Sequence, residues 1–158
     1  MKVEALSRNE VITVGRQATV AEAARTMRRH HAGDLIVVEQ RQMGTIPVGI
    51  LTDRDIVIEV IGQGYSPEQI TLDSVMSGDL VTARVEDEVA DVLRAMSTKG
   101  VRRAPIVDRQ GQLRGIVSVD DLLAVIATEV MQLARLIRRE QSQELKKTED
   151  PFQDEFAT

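Results

Sequence analysis

The stretch Gly49-Ile50-Leu51-Thr52-Asp53-Arg54-Asp55 returns later in the chain as Gly115-Ile116-Val117-Ser118-Val119-Asp120-Asp121. A longer plan repeats around it. Thr13-Val14, Met27 and Leu35-Ile36-Val37-Val38-Glu39 recur 69 residues on as Thr82-Ala83, Met96 and Ala104-Pro105-Ile106-Val107-Asp108. The two heptapeptides stand 66 residues apart, so the first copy holds three extra residues before its motif. These fall within residues 40–48, where a hairpin turn absorbs an insertion. An internal duplication predicts two similar half-units that bury their apolar faces against each other, with paired, related clefts between them.

Each copy reads strand, helix, strand, strand, helix. Thr19-Val20-Ala21-Glu22 has the form of a capping box, which starts a helix. Val20, Ala23, Ala24 and Met27 then recur at helical spacing, as do Val89, Val92, Leu93 and Met96 in the second copy. Gly33 and Gly100 are expected to end these helices, because glycine takes the left-handed conformation at little cost. Residues 35–38 and 105–107 are short apolar runs, with 48–51 and 113–117 as their partners across polar turns. Residues 53–61 are expected to be helical up to Gly62, and residues 70–76 to form a short helix leading into the second copy. The last helix continues past anything in the first copy, since Leu122, Ile126, Val130, Leu133 and Ile137 carry on an apolar stripe.

The expected organisation is therefore a first repeat over 7–62, a linker with a short helix over 63–76, and a second repeat over 77–127. A helical extension over 128–147 and a disordered tail over 148–158 follow. The fold class is α/β in an α+β arrangement: two tandem β-α-β-β-α repeats packed as a pseudo-twofold pair, with an extended C-terminal helix.

Composition narrows the function. The chain has 158 residues, 42% hydrophobic and 28% charged, with a net charge of −5, which is globular and offers no whole-surface basic footprint for nucleic acid. It contains no cysteine, which excludes disulfides, thiol catalysis and thiolate metal sites. The longest apolar run, residues 122–127, is too short to span a membrane, and residues 1–6 lack the apolar core of a signal peptide. A cytoplasmic protein that binds neither membrane nor nucleic acid is the expectation. His30 and His31 are adjacent and point in different directions, so no metal set is expected there.

A duplicated strand-helix-strand-strand-helix unit whose third strand ends in Gly-apolar-apolar-Ser/Thr-x-x-Asp resembles the CBS domain family, named for cystathionine β-synthase. The likeness extends to Ser74-Val75-Met76 and to residues 101–107, and covers about residues 7–127. It implies an adenosine-containing ligand such as AMP, ADP or ATP in the clefts, usually in a regulatory sensor. No catalytic cofactor is implied.

Beside the resemblance stands the chemistry of the motif. Thr52 and Ser118 sit where a strand becomes a helix, so unpaired backbone N–H groups and a hydroxyl point at one place, a ready phosphate site. Asp55 and Asp121 lie one turn further in, where a carboxylate can accept from two ribose hydroxyls. The plain alternative is that each Ser/Thr-x-x-Asp only caps a helix. A slot for the base is expected from Ile50 and Ile116 with the loops around Thr13 and Thr82. Aligning the copies sets Arg103 opposite Asp34, which predicts a guanidinium near Ser118 and a carboxylate near Thr52. A phosphorylated ligand should then prefer the Asp121 cleft. Arg102 reaches one cleft or the other.

The leading expectation is a regulatory nucleotide-binding module acting as a homodimer on an unknown regulated protein. The alternative is a ligand-free interaction or dimerisation module, for which the apolar stripe of the last helix speaks. An enzyme is not expected, because no nucleophile with an adjacent base is evident.

Overall fold

The computed structural model describes residues 1–6 and 10–148. Two three-stranded sheets carry the duplication. In the first, β1 (Thr13–Gly15) runs parallel to β2 (Asp34–Arg41), which pairs antiparallel with β3 (Gly44–Thr52). In the second, β4 (Ala83–Arg84), β5 (Arg103–Val107) and β6 (Leu113–Ser118) follow the same order and directions. The helices α1 (Val20–His30) and α3 (Val89–Lys99) make the parallel crossovers. Both antiparallel registers shift at the same point, after Val37 and after Ile106. The inserted residues lengthen β2 and β3 to 8 and 9 residues, against 5 and 6 for β5 and β6.

Local signals act as the sequence predicts at the start of α1. The Glu22 N–H donates to Thr19 Oγ1 at 3.2 Å, and the Thr19 N–H donates to Glu22 Oε2 at 2.7 Å. These bonds hold the Glu22 carboxyl below its ordinary range. At the helix ends the expectation holds for one copy only. Gly100 is left-handed (φ 66°), but the first copy uses His31 (φ 50°, ψ 40°) rather than Gly33. His31 is the residue 69 positions before Gly100, so the two copies share the backbone shape without sharing the glycine. Gly33 instead lies close to α2 (Asp53–Asp55), where a Cβ would stand 3.3 Å from Asp53 Oδ2.

The first repeat's core gathers Val20, Ala23 and Met27 from α1 with Leu35 and Val37 from β2 and Leu51 from β3. Val60 and Leu72 complete it. Leu72 does not belong to that repeat: it sits in a 3₁₀ turn (Leu72–Ser74) that leads into the second copy. The segment before each repeat docks on the other one. Before repeat two, the Ile70 and Pro67 carbonyls each accept at 2.9 Å from Val20 and Ala21, two of the orphan N–H groups of α1. The Leu72 and Asp73 N–H groups donate to Ala18 and Arg16 at 3.0 and 3.2 Å. Three of these four bonds recur 69 residues away: the Met1 carbonyl accepts from Val89 at 2.9 Å, and Val3 and Glu4 donate to Asp87 and Val85 at 3.0 and 3.1 Å. The sequence reading missed this exchange, because it began repeat one at residue 7 and treated residues 63–76 as a linker.

Chain packing separates Met1–Val119 from Asp120–Thr158. The second unit is the body of α4 (Val119–Thr148), a 30-residue helix. Leu122 is buried, whereas Ile126, Val130, Leu133 and Ile137 are 44%, 58%, 62% and 54% exposed. Residues 149–158 of the expected disordered tail lie outside the described residues. Among the described residues no helix is long and apolar enough to cross a membrane.

Leu72 and Val3 are both 0% exposed, each under a repeat to which it does not belong. Leu72→Ala should cost about 2–5 kcal/mol. Val3→Ala should cost up to about 1.5–3 kcal/mol. Denaturant unfolding checks both; an unchanged midpoint in Val3→Ala would show that the N-terminal segment does not hold repeat two.

Candidate functional site

The motif residues of repeat one stand where β3 ends and α2 (Asp53–Asp55, continuing as a π-helical turn Ile56–Ile61) begins. The backbone is tied on both sides. The Asp53 N–H donates to the Gly33 carbonyl at 2.9 Å, as the Val119 N–H does to Arg102 in the second copy. Thr52 and Asp55 form a full capping box: the Asp55 N–H donates to Thr52 Oγ1 at 3.1 Å and the Thr52 N–H to Asp55 Oδ2 at 2.9 Å. The plain capping role is therefore real. It consumes one lone pair of the hydroxyl and one carboxylate oxygen, while the Thr52 O–H and Asp55 Oδ1 engage nothing among the described residues. The cap fixes the two groups without exhausting them.

The glycine of the motif has a local cause. Ser77 bridges to β3 through two bonds, Ile50 N–H to Ser77 O and Ser77 N–H to Ile50 O, both 3.0 Å. That lays residues 76–77 over Gly49, where a Cβ would stand 2.5 Å from Met76 Sδ and 3.1 Å from Ser77 O. Only glycine leaves room for that approach.

Between the repeats, Thr52, Asp55 and Ile50 line a cleft of about 430 Å³, within the range of small-molecule sites. Its facing wall comes from the second copy: Leu80, Val81 and Val101 are apolar, and Arg102 and Arg103 enter beside them. Arg54, Asp34, Ser77, Asp79 and Gly100 complete it. Asp79 is paired with Lys99 at 2.6 Å. Of the residues picked from sequence, Ile50, Thr52, Asp55, Arg102 and Arg103 thus come together. Thr13 does not join them; it lines a separate groove with Arg16, Gln17, Val38, Glu39 and Gln40. Thr82 is exposed, one residue beyond the cleft-lining Val81. Ile116 pairs with Pro105 and Ser118 with Arg103 across β5 and β6, and Asp121 lies in the first turn of α4, in the second unit. Sequence reasoning missed Ser77, Asp79 and Leu80, although they adjoin the suspected loop at residues 81–82.

The charge expectation holds for the register and is modified by an ion pair between the copies. Asp34 is in register with Thr52 and Arg103 with Ser118, as the alignment implied. Yet the opposite charges do not separate into two clefts, because Arg103 Nη1 lies 2.9 Å from Asp34 Oδ2 and both line the Thr52 cleft. Equivalent positions near an approximate twofold axis must meet. Burial nevertheless raises the Asp34 carboxyl above its ordinary value, with Arg103 opposing and Asp53 reinforcing the shift. The guanidinium thought to mark the Asp121 cleft is thus found, with Arg102 and Arg54, around Thr52.

Comparison with known proteins agrees with the duplication. The model of the CBS domain matches residues 3–62 and 72–128. A CBS domain-containing protein of Bacillus subtilis, YhcV, is 40% identical over 113 residues, covering 72% of this chain and 76% of the relative. An uncharacterised protein of Methanopyrus kandleri is 38% identical over 125 residues, covering 79% of this chain; the chain spans only 62% of that relative's length. Among solved structures, a hexameric CBS-CP12 protein from bloom-forming cyanobacteria superposes with a TM-score of 0.68 at 31% identity, covering 78% of this chain and 66% of the other.

Gly49→Ala should displace Met76 and Ser77 and cost about 1–3 kcal/mol by overpacking. Thermal unfolding checks this; a variant as stable as the parent would mean that residues 76–77 yield freely.

Proposed function

The chain belongs to the CBS domain family, and on that premise we propose that it is a regulatory module taking an adenosine-containing ligand such as AMP, ADP or ATP into the Thr52–Asp55 cleft. One observation carries the reading: the capping box presents the Thr52 O–H and Asp55 Oδ1 to a cleft that also holds three arginines and an apolar wall. Asp55 accepts from the ribose hydroxyls, Thr52 and the guanidiniums receive the phosphate, and the base lies against Ile50, Val81 and Val101. The proposed task is binding rather than catalysis, since the described residues lining the cleft offer no histidine or cysteine as nucleophile or base.

A second reading concerns assembly. The exposed apolar side chains along α4 favour association of copies, which the hexameric cyanobacterial relative also supports. We place a homodimer beside nucleotide binding, with a regulated partner of unknown identity. Light scattering should find the full chain dimeric and a chain ending at Thr128 weakened in assembly; a monomeric full chain contradicts the homodimer.

Calorimetry with AMP tests the site. Asp55→Asn keeps an acceptor for the cap but removes the charge, and loss of one charged hydrogen bond is worth about 1.5–3 kcal/mol, so affinity should fall at least about tenfold. Asp121→Asn should change it less. Unchanged AMP binding in Asp55→Asn, or an effect confined to Asp121→Asn, would overturn the assignment.

A further inference from the structure

The Arg103–Asp34 ion pair both spans the two repeats and lines the cleft. It joins the first residue of β5 to the first residue of β2 at 2.9 Å, and the Asp34 side chain is 14% exposed. The other charged groups lining that cleft are Arg54, Asp55, Asp79 and Arg102. A guanidinium has five donors and binds a phosphate as readily as a carboxylate.

Resting on the nucleotide reading above, we propose that a ligand's phosphate takes Arg103 from Asp34, opening the pair that links the repeats, and that Asp34 takes a proton from solvent in exchange. Ligand binding thereby becomes coupled both to pH and to the contact between half-units. Asp34 is suited to this exchange. From β5 it faces Arg103, and from α2 it faces Asp53, whose charge repels it; burial already favours its neutral form. Removing Arg103 removes the one group that keeps the carboxylate charged. The sign follows. A carboxyl whose pKa is higher in the complex than in the free protein takes up protons on binding, so its contribution favours the complex as pH falls. The phosphate of AMP itself titrates near pH ~6 and acts in the opposite direction, so the comparison must be made between variants.

The experiment is calorimetry of AMP and of adenosine, near pH ~6 and in two buffers of different ionisation heat, which reports protons taken up per ligand bound. The unmodified protein should take up more protons with AMP than Asp34→Asn does. Asp34→Asn, relieved of the competing carboxylate, should bind AMP at least about threefold more tightly and adenosine no differently. Arg103→Gln provides the second arm: it should lose AMP affinity, keep adenosine affinity and show no Asp34-linked proton. Equal proton counts and equal AMP affinity in the unmodified protein and Asp34→Asn would overturn the exchange while leaving the nucleotide site standing. Failure of both AMP and adenosine to bind the unmodified protein would instead overturn the nucleotide reading, and this inference with it.

Discussion

A helix start leaves backbone N–H groups without partners, and in each repeat those donors are met by the segment that introduces the other repeat. Val20 and Ala21 give theirs to the Ile70 and Pro67 carbonyls, and Val89 gives its own to Met1. Buried apolar anchors accompany the bonds, Leu72 in one direction and Val3 in the other. The starts of α1 and α3 are thus completed by backbone groups of the partner segment. The exchange ties the two halves to each other through backbone bonds and buried side chains. It also brings residues 76–81 across the edge of β3, which is how a wall of the second copy comes to face the motif of the first.

The same constraint explains how a helix cap can serve a site. An isolated Thr-x-x-Asp would do no more than satisfy two orphan donors. Here the junction is additionally held by the Asp53 to Gly33 bond below and by the Ser77 bridge beside it. Thr52 and Asp55 therefore stand on backbone that is fixed from three directions, with one hydroxyl proton and one carboxylate oxygen not used by the cap, as the proposed nucleotide site requires. Preorganisation of that kind lowers the ordering cost of binding. The positions of Arg102 and Arg103 are held in the first copy by Gly33 and Asp34, so the duplication repeats the backbone without repeating the charge.

Much of this was legible in the chain. Helical spacing in 20–27 and 89–96, the apolar runs of the strands, the Thr19 capping box and the place of the three-residue insertion are local signals, and local signals survive into the fold. What escaped is non-local. The exchange of leading segments is made by backbone groups, which carry no side-chain signature. His31 hides a left-handed turn because Gly33, two residues away, is the more obvious candidate. The charge difference was visible, but its placement was not: an alignment lays Asp34 and Arg103 side by side as equivalents without saying that equivalents near a twofold axis touch. Thr13 was chosen by its neighbourhood in sequence and lies in another groove for the same reason.

The central claim is that a nucleotide is held at the Thr52–Asp55 junction by groups from both repeats. A crystal structure of the protein grown with AMP addresses it most directly. The account predicts ribose hydroxyls within hydrogen-bond distance of the Asp55 carboxylate and the phosphate among Thr52, Arg54 and the arginines at 102 and 103. An empty Thr52 cleft in crystals whose AMP lies elsewhere, or in which Asp55 contacts only its own cap, would contradict it.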